Sequence, residues 1–180
     1  MSSFEQSQTV GAAPDAVFAF VSDVRNLPKY MPTTHSAEPQ EGERVRVKGE
    51  AQGHAYDSDG YFRVDKSARR MEWGSDGEMN YSGWLRVEEA GSDASQVTVH
   101  ISMSPPPEMV DAMKEQGGHD KVVNDGIQKS LQSIANIMEG KGGKVEPEAA
   151  TDETENGPSG KNADQSTSSS TSGSDAGRGT

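Results

Sequence analysis

Arg44-Val45-Arg46-Val47-Lys48-Gly49-Glu50-Ala51-Gln52-Gly53-His54 is the stretch from which the fold is read. Charged or polar residues hold one parity and apolar or small residues the other, the period-two pattern of a strand with one wet and one buried face. The pattern continues C-terminally. Gly60-Tyr61-Phe62-Arg63-Val64, Arg70-Met71-Glu72-Trp73, residues 81–87 and residues 96–103 all read as strands. Between them, Asp57-Ser58-Asp59-Gly60, Asp65-Lys66-Ser67, Ser75-Asp76-Gly77 and Ala90-Gly91-Ser92-Asp93 carry turn chemistry. The expectation is an antiparallel meander, solvated on one face only.

Upstream, residues 4–10 are extended in character, and Ala13-Pro14-Asp15 is a helix start with Pro at the first position and an acid in the first turn. Val17, Phe20 and Val21 share one face of that helix, and residues 27–32 read as a second short helix closed by Pro32. Downstream, Pro105-Pro106-Pro107 stops the last strand, residues 108–114 suggest a short helix, and Gln116-Gly117-Gly118-His119 breaks it. A long helix follows over 120–139. Its apolar residues Val123, Ile127, Leu131, Ile134 and Met138 recur at spacings of four, four, three and four, which makes one stripe. A sheet with one apolar face and a helix with one apolar stripe each have a single surface to hide, so they pack together. The fold class is therefore α+β: a curved antiparallel sheet around a long C-terminal helix, with two short helices after the first strand. Small residues at the buried parity of the opening stretch, Gly49, Ala51 and Gly53, permit either sharp bending or a void.

Composition sets the limits. The chain has 180 residues and an apolar fraction of only 31%. The deficit lies beyond Lys141, where Val145 is the one apolar residue larger than Ala. Such a segment cannot offset an ordering entropy of roughly 1–2 kcal/mol per residue. Residues 1–140 are thus expected to be the domain and 141–180 a disordered, acidic, Ser/Gly-rich tail. The net charge of −12 and the lack of a basic stripe disfavour nucleic-acid binding. With no cysteine, disulfides, thiolate nucleophiles and thiolate metal ligands are excluded. The N-terminus shows no basic region followed by an apolar run, and no window reaches the ~20 apolar residues of a membrane span, so a cytoplasmic location is expected.

Val10-Gly11-Ala12-Ala13-Pro14-Asp15-Ala16-Val17-Phe18-Ala19-Phe20-Val21, continuing to Pro32, resembles the opening of the START/Bet v 1-like (SRPBCC) superfamily, in particular its polyketide cyclase/dehydrase and lipid-transport branch. Arg70-Met71-Glu72-Trp73, Tyr81-Ser82-Gly83-Trp84-Leu85-Arg86-Val87 and the final helix are similar to that branch as well. The resemblance implies a helix-grip fold with a hydrophobic tunnel for lipids, quinones, polyketides or other small apolar molecules. It leaves the ligand open.

Strand alternation places Val45, Val47, Ala51, Phe62, Val64, Met71, Trp73, Leu85, Val97, Val99, Ile101 and Met103 on the buried face, opposite Ile127, Leu131 and Ile134. Most of these serve ordinary packing. Tyr56, Trp73 and Tyr81 combine an apolar body with a polar handle, the kind of group that orients a ligand in a greasy pocket. The cavity candidates are Val47, Ala51, Tyr56, Phe62, Met71, Trp73, Tyr81, Leu85, Val99, Ile101, Met103, Ile127 and Leu131. Met109, Val110 and Met113 read either as a mobile flap or as a short helix fixed to the sheet edge.

Other chemistry is thin. His35, His54, His100 and His119 are scattered, and no pair has metal-ligand spacing, so neither metal nor cofactor is expected. Asp57 and Asp59 suit a solvated turn better than an acid/base pair. No phosphate-binding loop or nucleophile elbow occurs. Three functions follow in order: binding a small hydrophobic ligand; a cyclase or dehydratase using Tyr56, Tyr81 or a carboxylate; and a protein-interaction module using the outer sheet face or the tail.

Overall fold

The computed structural model describes residues 1–76 and 80–145. Seven antiparallel strands form one sheet, in which the first strand of the chain lies beside the seventh and the rest follow in descending order to the second. β1 (Ser2–Val10) leads into α1 (Pro14–Val21), a 3₁₀ turn (Val24–Asn26) and α2 (Leu27–Tyr30). The meander β2 (Thr34–Pro39), β3 (Arg44–Ala51), β4 (His54–Asp65), β5 (Arg70–Ser75), β6 (Ser82–Glu89) and β7 (Ser95–Met103) follows. α3 (Pro107–Ala112), a second 3₁₀ turn (Lys114–Gln116) and α4 (His119–Met138) complete the order. This is the helix-grip α+β architecture that the sequence leads one to expect.

Two local expectations are corrected. Asp57-Ser58-Asp59-Gly60 lies inside β4, and the turn is made earlier by Gln52 and Gly53, whose φ angles are 54° and 75°. Two successive residues at positive φ form the tight hairpin whose twist matches antiparallel strands. That register sets Lys48 opposite Asp57 and Arg46 opposite Asp59. Arg46 grips Asp57 with two hydrogen bonds, Nε to Oδ1 at 2.8 Å and Nη2 to Oδ2 at 2.7 Å. Residues that look like a turn by composition are thus half of a cross-strand charge ladder. The second correction is β2 itself. It carries no apolar alternation, burying only Thr34 and Ala37, and a bulge between Thr34 and Ser36 breaks its period.

Helix α4 buries Ile127, Leu131 and Ile134 at 2% exposure or less, with Val123 and Met138 packed beside them. It runs along β1, where Gln6 donates from Nε2 to the Asn124 carbonyl and to Asn124 Oδ1, both at 2.9 Å. Val64 departs from its expected burial. At 39% exposure it stands at the end of β4, because alternation fixes which way a side chain points and not whether anything covers it.

Beyond α4 the described residues run to Val145. The Val145 amide donates to Ser133 Oγ at 2.8 Å, and Lys144 Nζ donates to the Thr34 carbonyl at 3.3 Å. The rest of the expected tail, 146–180, lies outside the described residues.

Candidate functional site

The inner face of the sheet brings most of the cavity candidates together. Phe62, Met71, Leu85, Val99, Ile101, Met103, Ile127 and Leu131 all belong to the buried core, and half-buried Val47, Trp73 and Tyr81 pack against it. Ala51 and Tyr56 stand apart from that cluster, at the hairpin end of β3 and β4.

Glycines seat the aromatic rings. A Cβ on Gly83 would lie 2.6 Å from the Trp73 ring, and one on Gly49 would lie 2.6 Å from the Tyr56 hydroxyl oxygen and 1.9 Å from the Thr33 carbonyl. The missing side chains therefore make room for large ones across the strand. Gly83 faces Trp73, and Gly49 faces Tyr56, in adjacent-strand register.

The two tyrosine handles are in different states. Tyr56 spends its proton on the Thr33 carbonyl at 3.1 Å, and its oxygen lies 3.2 Å from Thr34 Oγ1. Tyr81 is the acceptor in its pair: Trp73 Nε1 donates to the Tyr81 hydroxyl at 3.2 Å. Among the described residues the Tyr81 proton has no acceptor. Burial pushes the Tyr81 phenol above its ordinary value of 10.0, only partly opposed by the Trp73 N–H, so the group stays a proton donor across the neutral range.

Tyr30 is the interior residue that sequence reading passed over. It reaches in from α2, is 1% exposed, and donates to the Val21 carbonyl at 2.9 Å. Burial raises its pKa far above the tyrosine range, and the nearby Tyr81 adds to the shift. An aromatic just before Met31-Pro32 at the end of a short helix was the available signal. It gave no hint of depth.

The outer face is built differently. Trp84 and His100 stack with ring centres 5.4 Å apart and planes within 6°, and Arg70 lies 4.4 Å from the Trp84 centre. Beside them is an open concavity of about 250 Å³ lined by Tyr61, Glu72, Ser82, Gly83, Trp84, His100 and Ser102. A second open cleft, of about 330 Å³, lies away from that face and is lined by Val24, Arg25, Pro39, Arg44, Phe62 and Val64 among others.

His35 and His54 are exposed, His100 is stacked on Trp84, and His119 is buried with Nε2 3.3 Å from Met103 Sδ. Among the described residues no three His, Asp or Glu side chains are grouped to hold a metal ion. No helix among them is long and apolar enough to cross a membrane.

A sheet closed around a long helix defines the class as a helix-grip fold. The chain belongs to the polyketide cyclase / dehydrase and lipid transport family, whose sequence profile matches residues 1–139. Solved structures of the same fold include an aromatase/cyclase from Streptomyces sp. R1128, 17% identical, covering 77% of this chain and 93% of that one with a TM-score of 0.64. The di-domain ARO/CYC protein BexL of the BE-7585A biosynthetic pathway is 21% identical, with a TM-score of 0.62 over 77% of this chain and 47% of its own. A START superfamily protein from Mycobacterium smegmatis is 13% identical, with a TM-score of 0.57 over 75% of this chain and 97% of that one. This chain thus spans about half of the di-domain protein and nearly all of the other two. A comparison with functionally curated proteins finds no match by sequence.

Proposed function

We propose that the domain binds a small, mostly apolar molecule between the inner face of the sheet and α4, and that Tyr81 orients it by donating a hydrogen bond to a carbonyl or hydroxyl oxygen. The observation that carries this reading is the Trp73–Tyr81 pair. The indole N–H satisfies and aims the phenol oxygen at 3.2 Å, and among the described residues nothing accepts the O–H of half-buried Tyr81, which leaves it for a guest. A ligand oxygen that accepts this hydrogen bond would add about 0.5–1.5 kcal/mol of affinity and fix the ligand's orientation. Family membership supports the same reading, since lipids and polyketides combine large apolar surface with sparse oxygen acceptors. The walls would be drawn from Val47, Phe62, Met71, Leu85, Val99, Ile101, Met103, Ile127 and Leu131, with Ala51 and Tyr56 at the hairpin end.

An enzymatic reading as a cyclase or dehydratase would use Tyr81 as a general acid toward a ring carbonyl. The carboxylates with clearly shifted affinities, Asp23, Asp57, Asp65 and Asp76, all move downward through hydrogen bonds near the surface, so they supply no proton at neutral pH.

Trp84→Phe leaves Trp73 as the sole tryptophan and makes it a reporter for the inner face. Titration of that variant with a naphthoquinone is expected to quench Trp73, and Tyr81→Phe should weaken binding about 10-fold. Native mass spectrometry of protein from its own cells should find a bound small molecule. An empty protein whose Trp73 responds to neither quinones nor lipids would overturn the proposal.

A further inference from the structure

The segment between β7 and α4 is attached to the domain in an unusual way. Its two ends meet: Met103, the last residue of β7, and His119, the first of α4, touch through Sδ and Nε2 at 3.3 Å. Residues 104–118 between them form a compact loop with adjoining ends, a geometry frequently used for function. Its non-helical backbone hydrogen bonds run among Pro106, Met109, Val110, Met113, Lys114, Gln116, Gly117 and Gly118, and the one that leaves it joins the Val122 amide of α4 to the Gly118 carbonyl at the junction itself. One side-chain hydrogen bond leads outward, from Gln116 Nε2 to Gln52 Oε1 at the tip of the β3–β4 hairpin. Neither α3 nor the following 3₁₀ turn buries a residue of its own. Met113, between them, is buried to 7% exposure yet is not part of the main core.

From these features we infer that residues 104–118 are a lid over the hairpin end of the interior. Its fastening is the Gln116–Gln52 bond, its plug is Met113, and its hinge is Gly117–Gly118, whose φ angles of 96° and 95° lie where glycine moves without strain. Opening breaks one exposed side-chain hydrogen bond and uncovers Met113 together with the half-buried Met109 and Val110, while the His119–Met103 contact keeps both ends in place. Methionine suits the plug because it adapts to guests of different shape. Gln52 lies four residues from Tyr56, so the lid closes beside the residues assigned to that end of the site. The role in admitting ligand rests on the binding reading above; the opening motion does not.

The absence of cysteine makes the motion measurable with single thiols in the full chain. Met113→Cys should react with an aromatic disulfide reagent about 100-fold faster than Val97→Cys, which reports global unfolding, and adding Gln116→Ala should speed it about 5-fold further. Hydrogen exchange of the peptide spanning 104–118 in the unsubstituted chain gives the same readout without a core substitution. Equal labelling at positions 113 and 97, or a rate unchanged by Gln116→Ala, would overturn the lid. For ligand control, Gln52→Cys and Gln116→Cys are joined by a short bis-maleimide, each thiol adding across one maleimide double bond. Naphthoquinone association should then slow at least about 10-fold. Association at the free rate in the cross-linked chain would remove the lid's role while leaving the binding reading intact. Absence of quinone binding in both forms would count against the binding reading, and the labelling rates would still decide the lid.

Discussion

The two tryptophans stand on neighbouring strands and do opposite work. Trp73, on the inner face of β5, fills the space left by Gly83 and gives its N–H to Tyr81. Trp84, on the outer face of β6, is stacked on His100 and flanked by Arg70 and Arg86. One indole is used as a directional donor next to a core; the other is used as a flat apolar surface under charged groups. Strand parity alone separates them, because successive side chains project to opposite faces. The inner face is therefore where substitutions should cost stability or ligand affinity, and the outer face where they should cost little.

The largest effect tests the inner face at the helix. Leu131→Ala should lower unfolding free energy in urea by about 2–5 kcal/mol, since Leu131 is 1% exposed and its loss leaves a cavity. Gly83→Ala comes next. The added Cβ would stand 2.6 Å from both the Trp73 ring and the His100 carbonyl, so a loss of about 1–3 kcal/mol and altered Trp73 emission are expected. An unaltered melting temperature would show that the two faces are not coupled through Gly83.

Alkaline unfolding sharpens the same contrast. The folded state keeps Tyr30 and Tyr81 protonated above the ordinary tyrosine value of 10.0, so their stabilisation is complete below it. As pH rises through 10, the unfolded chain ionises first and stability falls. Tyr30→Phe should cost about 1–3 kcal/mol near neutrality by orphaning the Val21 carbonyl, and should also make the alkaline decline shallower. Circular dichroism against pH, with tyrosinate absorbance, measures both. A decline as steep as in the parent chain would place the buried ionisation elsewhere.

The direct comparison of indoles is smaller. Trp73→Phe should lose about 1–2 kcal/mol, whereas Trp84→Phe should lose under about 1 kcal/mol. The reverse order would undo the division between the faces. Smallest is Asp57→Asn on the outer ladder. The Arg46 hydrogen bonds hold the Asp57 carboxyl below its ordinary 3.8, so the pair stabilises the fold above that pH and the contribution fades as pH drops through the lowered value. Both partners are close to half exposed, so the parent and variant should differ only slightly in their acid limbs.

The 44–54 stretch announced a strand by its parity, and the stripe from Val123 to Met138 announced α4 by its spacing. Both signals are local, written by the requirement that an element with one buried face repeat its apolar residues at its own period. The turn at Gln52-Gly53 was less legible because Asp57-Ser58-Asp59-Gly60 offered stronger turn composition, and only the pairing with Arg46 and Lys48 converts those aspartates into strand residues. β2 was illegible because an edge strand that buries Thr34 and Ala37 needs no apolar pattern. Of the three handles, all were named from residue type alone. The hydrogen bonds that separate Tyr56 from Tyr81 join residues on different strands and loops.

By itself, then, the sequence determined a sheet with one buried face, a helix to cover it and the likeness that names the family. Tertiary structure decided that Tyr56 is tied to Thr33, that Tyr30 enters from α2, that Trp73 donates to the Tyr81 oxygen, and that Gln116 meets Gln52. The division follows from range. Periodicity records what each residue meets one strand or one turn away, whereas a hydrogen-bond partner 64 residues distant is chosen only when the chain is folded.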